Sequence, residues 1–371
     1  MNLFNKITIY DRYIFKQVLL ATTVAILLFT VVWIAPEMLL DTIGRVLSGQ
    51  YSVKKGILMI LYELPNIFGK AFPVGLLLGS LFTFDKLSKD SELTIFRAVG
   101  LSFGRILAPV LVLSLIVTGL CFVTYDKLIP NAESKFHAMG GRPIRTQYIY
   151  TQKDENNIPV QSVVVSKYDN NKMSDIIVLN FRDKLYSDVH QLRDIYYAKT
   201  GKNYSDKWIL EDITRYNISP DGIFENIENI PSMEILNGDD AQNAFKLMIY
   251  ATKKEREISN SDLRSYVNLL KKEGLDEEYR YMLNKYLQRY LHPFVCVLLA
   301  IMGVLLGFSK PREQRLIGFT IAIGCIFLYY ITLPFFDLLA EKGILHPFIT
   351  AVFPPFAFSC AIVAFYKSKD L

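Results

Sequence analysis

ILAPVLVLSLIVTGLCFVTY, residues 106–125, runs for 20 positions without a charged side chain. About 20 apolar residues in a helix cross the roughly 30 Å hydrocarbon layer of a bilayer, so this stretch reads as a membrane span. Working outward, comparable runs cover residues 14–35 and 57–84 on its N-terminal side, and 290–308, 316–339 and 344–366 towards the C-terminus. Between the third and fourth runs lies a long polar block. The plan is three spans, one inserted domain, three spans: an α-helical membrane protein with six transmembrane helices (3+3).

Composition agrees. The chain is 51% hydrophobic, which is high for a water-soluble domain, yet 21% of its residues are charged, too many for a chain buried in lipid throughout. Residues 126–285 hold 23 basic and 25 acidic residues, so the polar block carries no strong field for nucleic acid. The excess positive charge sits at the membrane ends instead. The N-terminus offers Lys6, Arg12 and Lys16, Lys86, Lys89, Arg97 and Arg105 follow the second span, Lys310, Arg312 and Arg315 follow the fourth, and Lys367 and Lys369 lie in the tail. The opposite short loops offer only Arg45, Lys54, Lys55 and Lys342. Short loops rich in Lys and Arg resist translocation, which predicts both termini in the cytoplasm and the large domain outside, in the periplasm of a double-membrane bacterium. The first run is too long, and lacks the small-residue pattern, for a cleaved signal peptide.

The expected boundaries are 1–125 for the N-terminal membrane half, 126–260 for an outer β domain, 261–289 for a helical connector and 290–371 for the C-terminal membrane half. Runs rich in Val, Ile, Tyr and Trp at 160–166, 176–181, 192–199 and 208–218 predict short strands of a sandwich, jelly roll or barrel, with Thr200-Gly201-Lys202-Asn203 as a turn. A helix should follow, with Ser261 as N-cap, Leu263, Val267 and Leu270 on one face and Gly274 as its stop. Asp276, Glu277 and Glu278 then suit the first turn of a helix running into the fourth span. Cys121, Cys296, Cys325 and Cys360 all fall inside spans without a CxxC pair and read as packing residues. Glu63 and Lys70, in the second span, could pair along one helix face, although Glu63 reads better at the outer headgroup level.

After the second span comes DKLSKDSELTIFRAVG, residues 85–100, a short amphipathic helix. Leu93, Phe96 and Ala98 or Val99 would be available to a partner, and Gly100 would end it. Held between two spans, it could dock into a soluble subunit and pass on its motion, or lie on lipid headgroups. The chain lacks a GxxxxGK[ST] loop and an HExxH pair, and its histidines, His137, His190, His292 and His346, are scattered. No catalytic or metal-ligating set is expected, and energy would come from a partner.

The six-span order, Asp11-Arg12-Tyr13-Ile14 before the first span, Leu64-Pro65 and Phe72-Pro73 in the second, Ser91-Glu92-Leu93 with Arg97-Ala98-Val99-Gly100 in the loop, and His292-Pro293 opening the fourth together resemble the LptF/LptG permeases of lipopolysaccharide export. The resemblance covers nearly the whole chain and is weakest in the β domain. It implies a periplasmic β-jelly roll and a half-transporter in the bacterial inner membrane. A second LptF/LptG-type permease would pair with it, and a cytoplasmic ABC ATPase dimer would bind beneath, using ATP and Mg. Periplasmic bridge proteins would receive the glycolipid; this chain would bind no cofactor.

Residue by residue, the resemblance makes residues 86–100 a coupling helix, with Glu92 facing the ATPase and Ser91, Leu93, Phe96, Arg97 and Gly100 around it. Family members that move lipopolysaccharide carry lysines at the outer end of the first span, whereas Glu37 and Asp41 stand here and Arg45 is the first base. A carboxylate repels a phosphate, so either the paired permease meets the phosphate or the cargo is another glycolipid. Phe327, Tyr329 and Tyr330 are candidates to line a cavity for acyl chains, or pack within the bundle. The competing readings are an envelope assembly protein and a membrane-anchored enzyme with its site in the β domain, where Asp183, Asp188 and Asp194 would be the carboxylates to test.

Overall fold

The structure, a computed structural model, describes residues 8–34, 39–140, 148–153, 158–169, 172–181, 192–204, 207–251, 253–308 and 316–368. Glu37, Asp183, Asp188, His190 and the basic residues Lys6, Lys310, Arg312, Arg315 and Lys369 lie outside that set. In chain order the elements are α1 (Ile9–Ile34), α2 (Leu40–Leu47), α3 (Val53–Lys89), α4 (Glu92–Ala98), α5 (Phe103–Val123), α6 (Ile129–Ala138), β1 (Tyr148–Lys153), β2 (Pro159–Asp169), β3 (Lys172–Phe181), β4 (Leu192–Tyr204), β5 (Lys207–Ile218), β6 (Phe224–Asn237), α7 (Gly238–Ala251), α8 (Asn260–Lys272), α9 (Asp276–Gly307), α10 (Leu316–Glu341) and α11 (Pro347–Ser368). The chain forms two units, Met1–Gly141 with Arg280–Leu371, and Arg142–Tyr279.

Among the described residues of the first unit, six helices are long and apolar enough to cross a membrane. The expected boundary at residue 125 falls inside one of them: a π turn over Thr124–Leu128 carries α5 into α6, so this helix continues to Ala138. α3 and α9 are central, with 72% and 67% of their most apolar windows buried, against 22% for α1, α10 and α11. Small residues permit that centre. A Cβ on Gly303 would stand 2.3 Å from Leu77 O, and one on Gly307 2.6 Å from Leu81 O, so α9 touches the α3 backbone along a Gly-x-x-x-Gly face. On another side of α3, a Cβ on Gly79 would meet Thr22 Cα at 2.6 Å, and one on Gly75 would meet Ile26 Cγ1 at 2.3 Å, which seats α1.

Cys121 and Cys296 are buried, Cys325 is half-buried and Cys360 is exposed. Glu63 is buried at 6% exposure, where Oε1 accepts a 2.7 Å hydrogen bond from Asn66. Lys70 Nζ lies 4.8 Å from the centre of the Trp33 ring on α1.

The second unit holds one antiparallel sheet in consecutive order, β1-β2-β3-β4-β5-β6, so the described strands form a meander without the crossovers of a strict jelly roll. Alternation places Val163, Val165, Ile176, Val178, Ala198 and Leu210 inside. α7 packs on β1 as well as on β5 and β6, which curls the sheet around the buried Leu247 and Met248. β4 does not turn at residues 200–203 but runs on to Tyr204. Gly201 is there because a Cβ would stand 2.8 Å from Ile176 Cδ1 and 2.9 Å from Leu210 Cδ2. The N-cap of α8 is Ser259, whose hydroxyl accepts from Asp262 N at 3.2 Å, and Ser261 sits inside the helix. Leu263, Val267 and Leu270 are buried along it, and Gly274, at φ +66°, follows its end.

Candidate functional site

The reversal from α3 into α4 is made by Ser91 at φ +60°, a left-handed conformation uncommon for a residue with a Cβ. The other end of α4 closes through Gly100 at φ +88°. Gly100 N donates to Arg97 O at 2.9 Å and Leu101 N to Phe96 O at 3.1 Å, the paired bonds of a Schellman stop. A helix of seven residues has little stability of its own, so this one depends on both ends being fixed and on what it packs against.

Leu93 is not available to a partner: it is 3% exposed, in a buried cluster with Ile14, Val18, Leu87 and Ile106. Phe96 is half-buried at the edge of that cluster, its ring 6.1 Å from Tyr10. The helical period therefore turns Ile95 (59% exposed) and Val99 (78% exposed) outward, one turn apart. Arg97 is exposed, with its guanidinium carbon 5.9 Å from the Phe308 ring centre. At the first position of α4, Glu92 Oε1 accepts a 3.0 Å hydrogen bond from the Tyr13 hydroxyl of α1. Nearby, Arg105 Nη2 lies 2.6 Å from Asp11 Oδ2, and Tyr10 OH donates to Arg105 O at 3.3 Å, which joins the start of α1 to the start of α5. Sequence reasoning found Glu92 and Gly100 as site residues and named Asp11, Tyr13 and Arg105 only as motif or loop residues, missing the contacts that bring them to this site, although each stands at a helix end where a polar group borders an apolar run.

The candidates for a cargo cavity do not converge. Arg45 Nε lies 3.1 Å from Asp41 Oδ2, one turn away on α2, and Arg45 Nη1 donates to the Tyr51 hydroxyl at 2.8 Å. That hydroxyl donates to Gly140 O at 2.9 Å, and Lys55 Nζ stands 4.1 Å from the same ring. α2 meets α3 at Gly56 through Thr42 and Val46. Tyr330 OH instead donates to Lys70 O at 2.7 Å. Gly56 and Lys70 are 70 − 56 = 14 residues apart on α3, about 21 Å along the axis, so these are two places. Phe327 is 63% exposed, whereas Tyr329 is buried and hydrogen-bonded to His292 Nδ1 at 2.6 Å. An apolar groove of about 390 Å³ between α1 and α3 is lined by Leu20, Val24, Leu28 and Phe82, with Gln17 and Lys86 among its polar groups.

Among the described residues, no group of three or more His, Cys, Asp or Glu is placed to hold a metal. Asp194, 1% exposed on β4, accepts from Arg215 Nε at 3.0 Å and Nη2 at 2.9 Å, and Arg193 Nε lies 3.3 Å away. That is a satisfied ion pair holding β4 to β5. Outside the spans, burial and the Glu273 carboxylate, whose Oε2 accepts from Tyr150 OH at 3.0 Å, hold the Tyr150 phenol well above its usual range, so it stays protonated.

Comparison with known proteins gives one answer. The family model described as Lipopolysaccharide export system permease LptF/LptG matches residues 12–368. The lipopolysaccharide export system permease proteins LptG of Escherichia coli strains K12 and O6:H1 are each 24% identical over 363 residues, covering 94% of this chain and 95% of theirs. The Haemophilus influenzae LptG is 23% identical over 275 residues, 72% of each chain.

Proposed function

This chain belongs to the LptF/LptG family of permeases, and we propose that it is one half of a transporter moving lipopolysaccharide out of the inner membrane, driven by a soluble ATPase docked on α4. It is a multi-pass inner-membrane protein. In this reading the α4 end faces the cytoplasm, in keeping with Arg12, Lys16, Lys86, Lys89, Arg97 and Arg105 along the described residues at that end. The curled sheet of the second unit then lies in the periplasm and passes lipid to bridge proteins. A second permease of the family completes the cavity, and ATP and Mg bind the partner ATPase.

The geometry of α4 carries the reading. Its inner side is cemented by Leu93 and Phe96, while Ile95, Val99 and the Glu92 carboxylate remain at the surface. A helix meant only to rest on headgroups would need no such anchoring at its ends and core. Docked on a groove of the ATPase, Ile95 and Val99 would supply apolar contact, and Glu92 would meet a cation there.

Purification from native membranes in mild detergent should retain a second permease, an ABC ATPase and lipopolysaccharide. Glu92→Arg should lower ATPase retention by about tenfold, since reversing one charge at an interface removes an attraction and adds a repulsion, while the protein still inserts. Undiminished retention with Glu92→Arg would remove α4 as the docking element. Retention of neither ATPase nor glycolipid by the wild-type protein would remove the transporter reading altogether.

A further inference from the structure

We infer that Tyr13 is a positioning residue for energy coupling: it holds Glu92 in orientation and ties the docking helix to the first span. The inference rests on the docking reading above and adds the route by which motion leaves α4.

Three contacts join α4 to the first turns of α1. The Tyr13 hydroxyl bonds Glu92 Oε1 at 3.0 Å, Leu93 shares a buried cluster with Ile14 and Val18, and Phe96 faces Tyr10 at 6.1 Å between ring centres. The first is a different kind of contact from the others. Apolar packing tolerates sliding, whereas a hydrogen bond to a carboxylate fixes direction. A carboxylate has about four lone-pair sites, so Tyr13 can hold Oε1 while Oε2 faces a partner's cation. A pull on Glu92 is then a pull on α1.

α1 is suited to receive it. Only 22% of its most apolar window is buried, and it is seated against α3 through Gly75 and Gly79. A span held on one side and open on the other can tilt without rebuilding the bundle. The central helices α3 and α9, with 72% and 67% of their most apolar windows buried, cannot. Tyr13 itself is 40% exposed, and its ring is not part of the buried cluster, so replacing the hydroxyl with hydrogen removes its bonds to Glu92 and to Gln17, its neighbour one turn on, and little packing.

The test uses the complete transporter in proteoliposomes, measuring lipopolysaccharide released per ATP hydrolysed for wild type, Tyr13→Phe, Glu92→Gln and the double variant. Tyr13→Phe should lower that ratio by about fivefold, with the ATPase still co-purifying, and the double variant should fall no further than Glu92→Gln, as expected of two residues in one interaction. A wild-type ratio for Tyr13→Phe, or a double variant that loses the product of the two single effects, would overturn the inference while leaving α4 as the dock. A wild-type ratio for Glu92→Gln would overturn the docking reading and the inference together.

Discussion

Gly303→Leu should detach α9 from α3 and destabilise the membrane half by about 3 kcal/mol or more, because the new side chain meets backbone that no rotamer change can clear. Already the first added atom would stand 2.3 Å from Leu77 O, 3.0 Å from Ser80 Cβ and 3.1 Å from Leu77 C. Gly307, one turn on, is held as closely by Leu81 O at 2.6 Å and Phe84 Cβ at 2.8 Å, so the helices cannot rotate to relieve the first collision without worsening the second. Close approach is also what lets Ser88 Oγ donate to Gly307 O at 3.0 Å across the same seam. Gly119→Leu on α5 is the control: nothing lies within 4 Å of its Cβ position, so that variant should melt near wild type. Thermal denaturation in mild detergent, followed by size-exclusion chromatography, reads both. An unshifted midpoint for Gly303→Leu would show that α3 and α9 do not touch there.

The spans were legible because hydrocarbon thickness imposes a length that sequence must meet, and residues 106–125 meet it without a charge. Which spans are central was not, because the glycines that decide it look alike in sequence: Gly119 and Gly324 face open space, whereas Gly79 and Gly303 face backbone. In the sheet, strands built on short runs of Val and Ile, such as β2 and β3, could be read directly. β6 could not, since it is exposed along most of its length and carries Pro231. Thr200 to Asn203 has the composition of a turn, yet Gly201 serves packing inside a strand rather than chain reversal. α7 left a trace, Ala241, Ala244 and Met248 at helical spacing, inside a region otherwise rich in strand formers. At the docking helix, Glu92 and Gly100 stood out locally. The inward face did not, because Leu93 is buried in a cluster that includes Ile14 and Val18, more than 70 positions earlier in the chain.

The same dependence on distant partners makes Asp337 a strong polar determinant of the C-terminal helices, and Asp337→Ala should cost about 3 kcal/mol, the low end of the range for removing one partner of a buried ion pair because this pair is only part-buried. Its carboxylate on α10 takes three donors from one stretch of α9: Asn284 Nδ2 at 2.8 Å, Gln288 Nε2 at 2.7 Å and the Lys285 ammonium. Lys285 and Asp337 side chains are 20% and 14% exposed, so solvent screens them little. Asn284, fully buried, accepts in turn from Thr350 Oγ1 of α11 at 2.9 Å, so one carboxylate orders three helices. Without it the lysine keeps a charge with no counterion in place, and two amides lose their acceptor. Asp337→Asn keeps an acceptor and loses the charge, so it should cost less. Asp337→Leu with Lys285→Met should recover most of the loss, because replacing a buried pair by apolar residues of similar size is commonly neutral or stabilising. If the double replacement melts as low as Asp337→Ala, the cost lies in the amide bonds to Asn284 and Gln288 and not in the stranded lysine. If Asp337→Ala melts like wild type, the carboxylate does not order these helices.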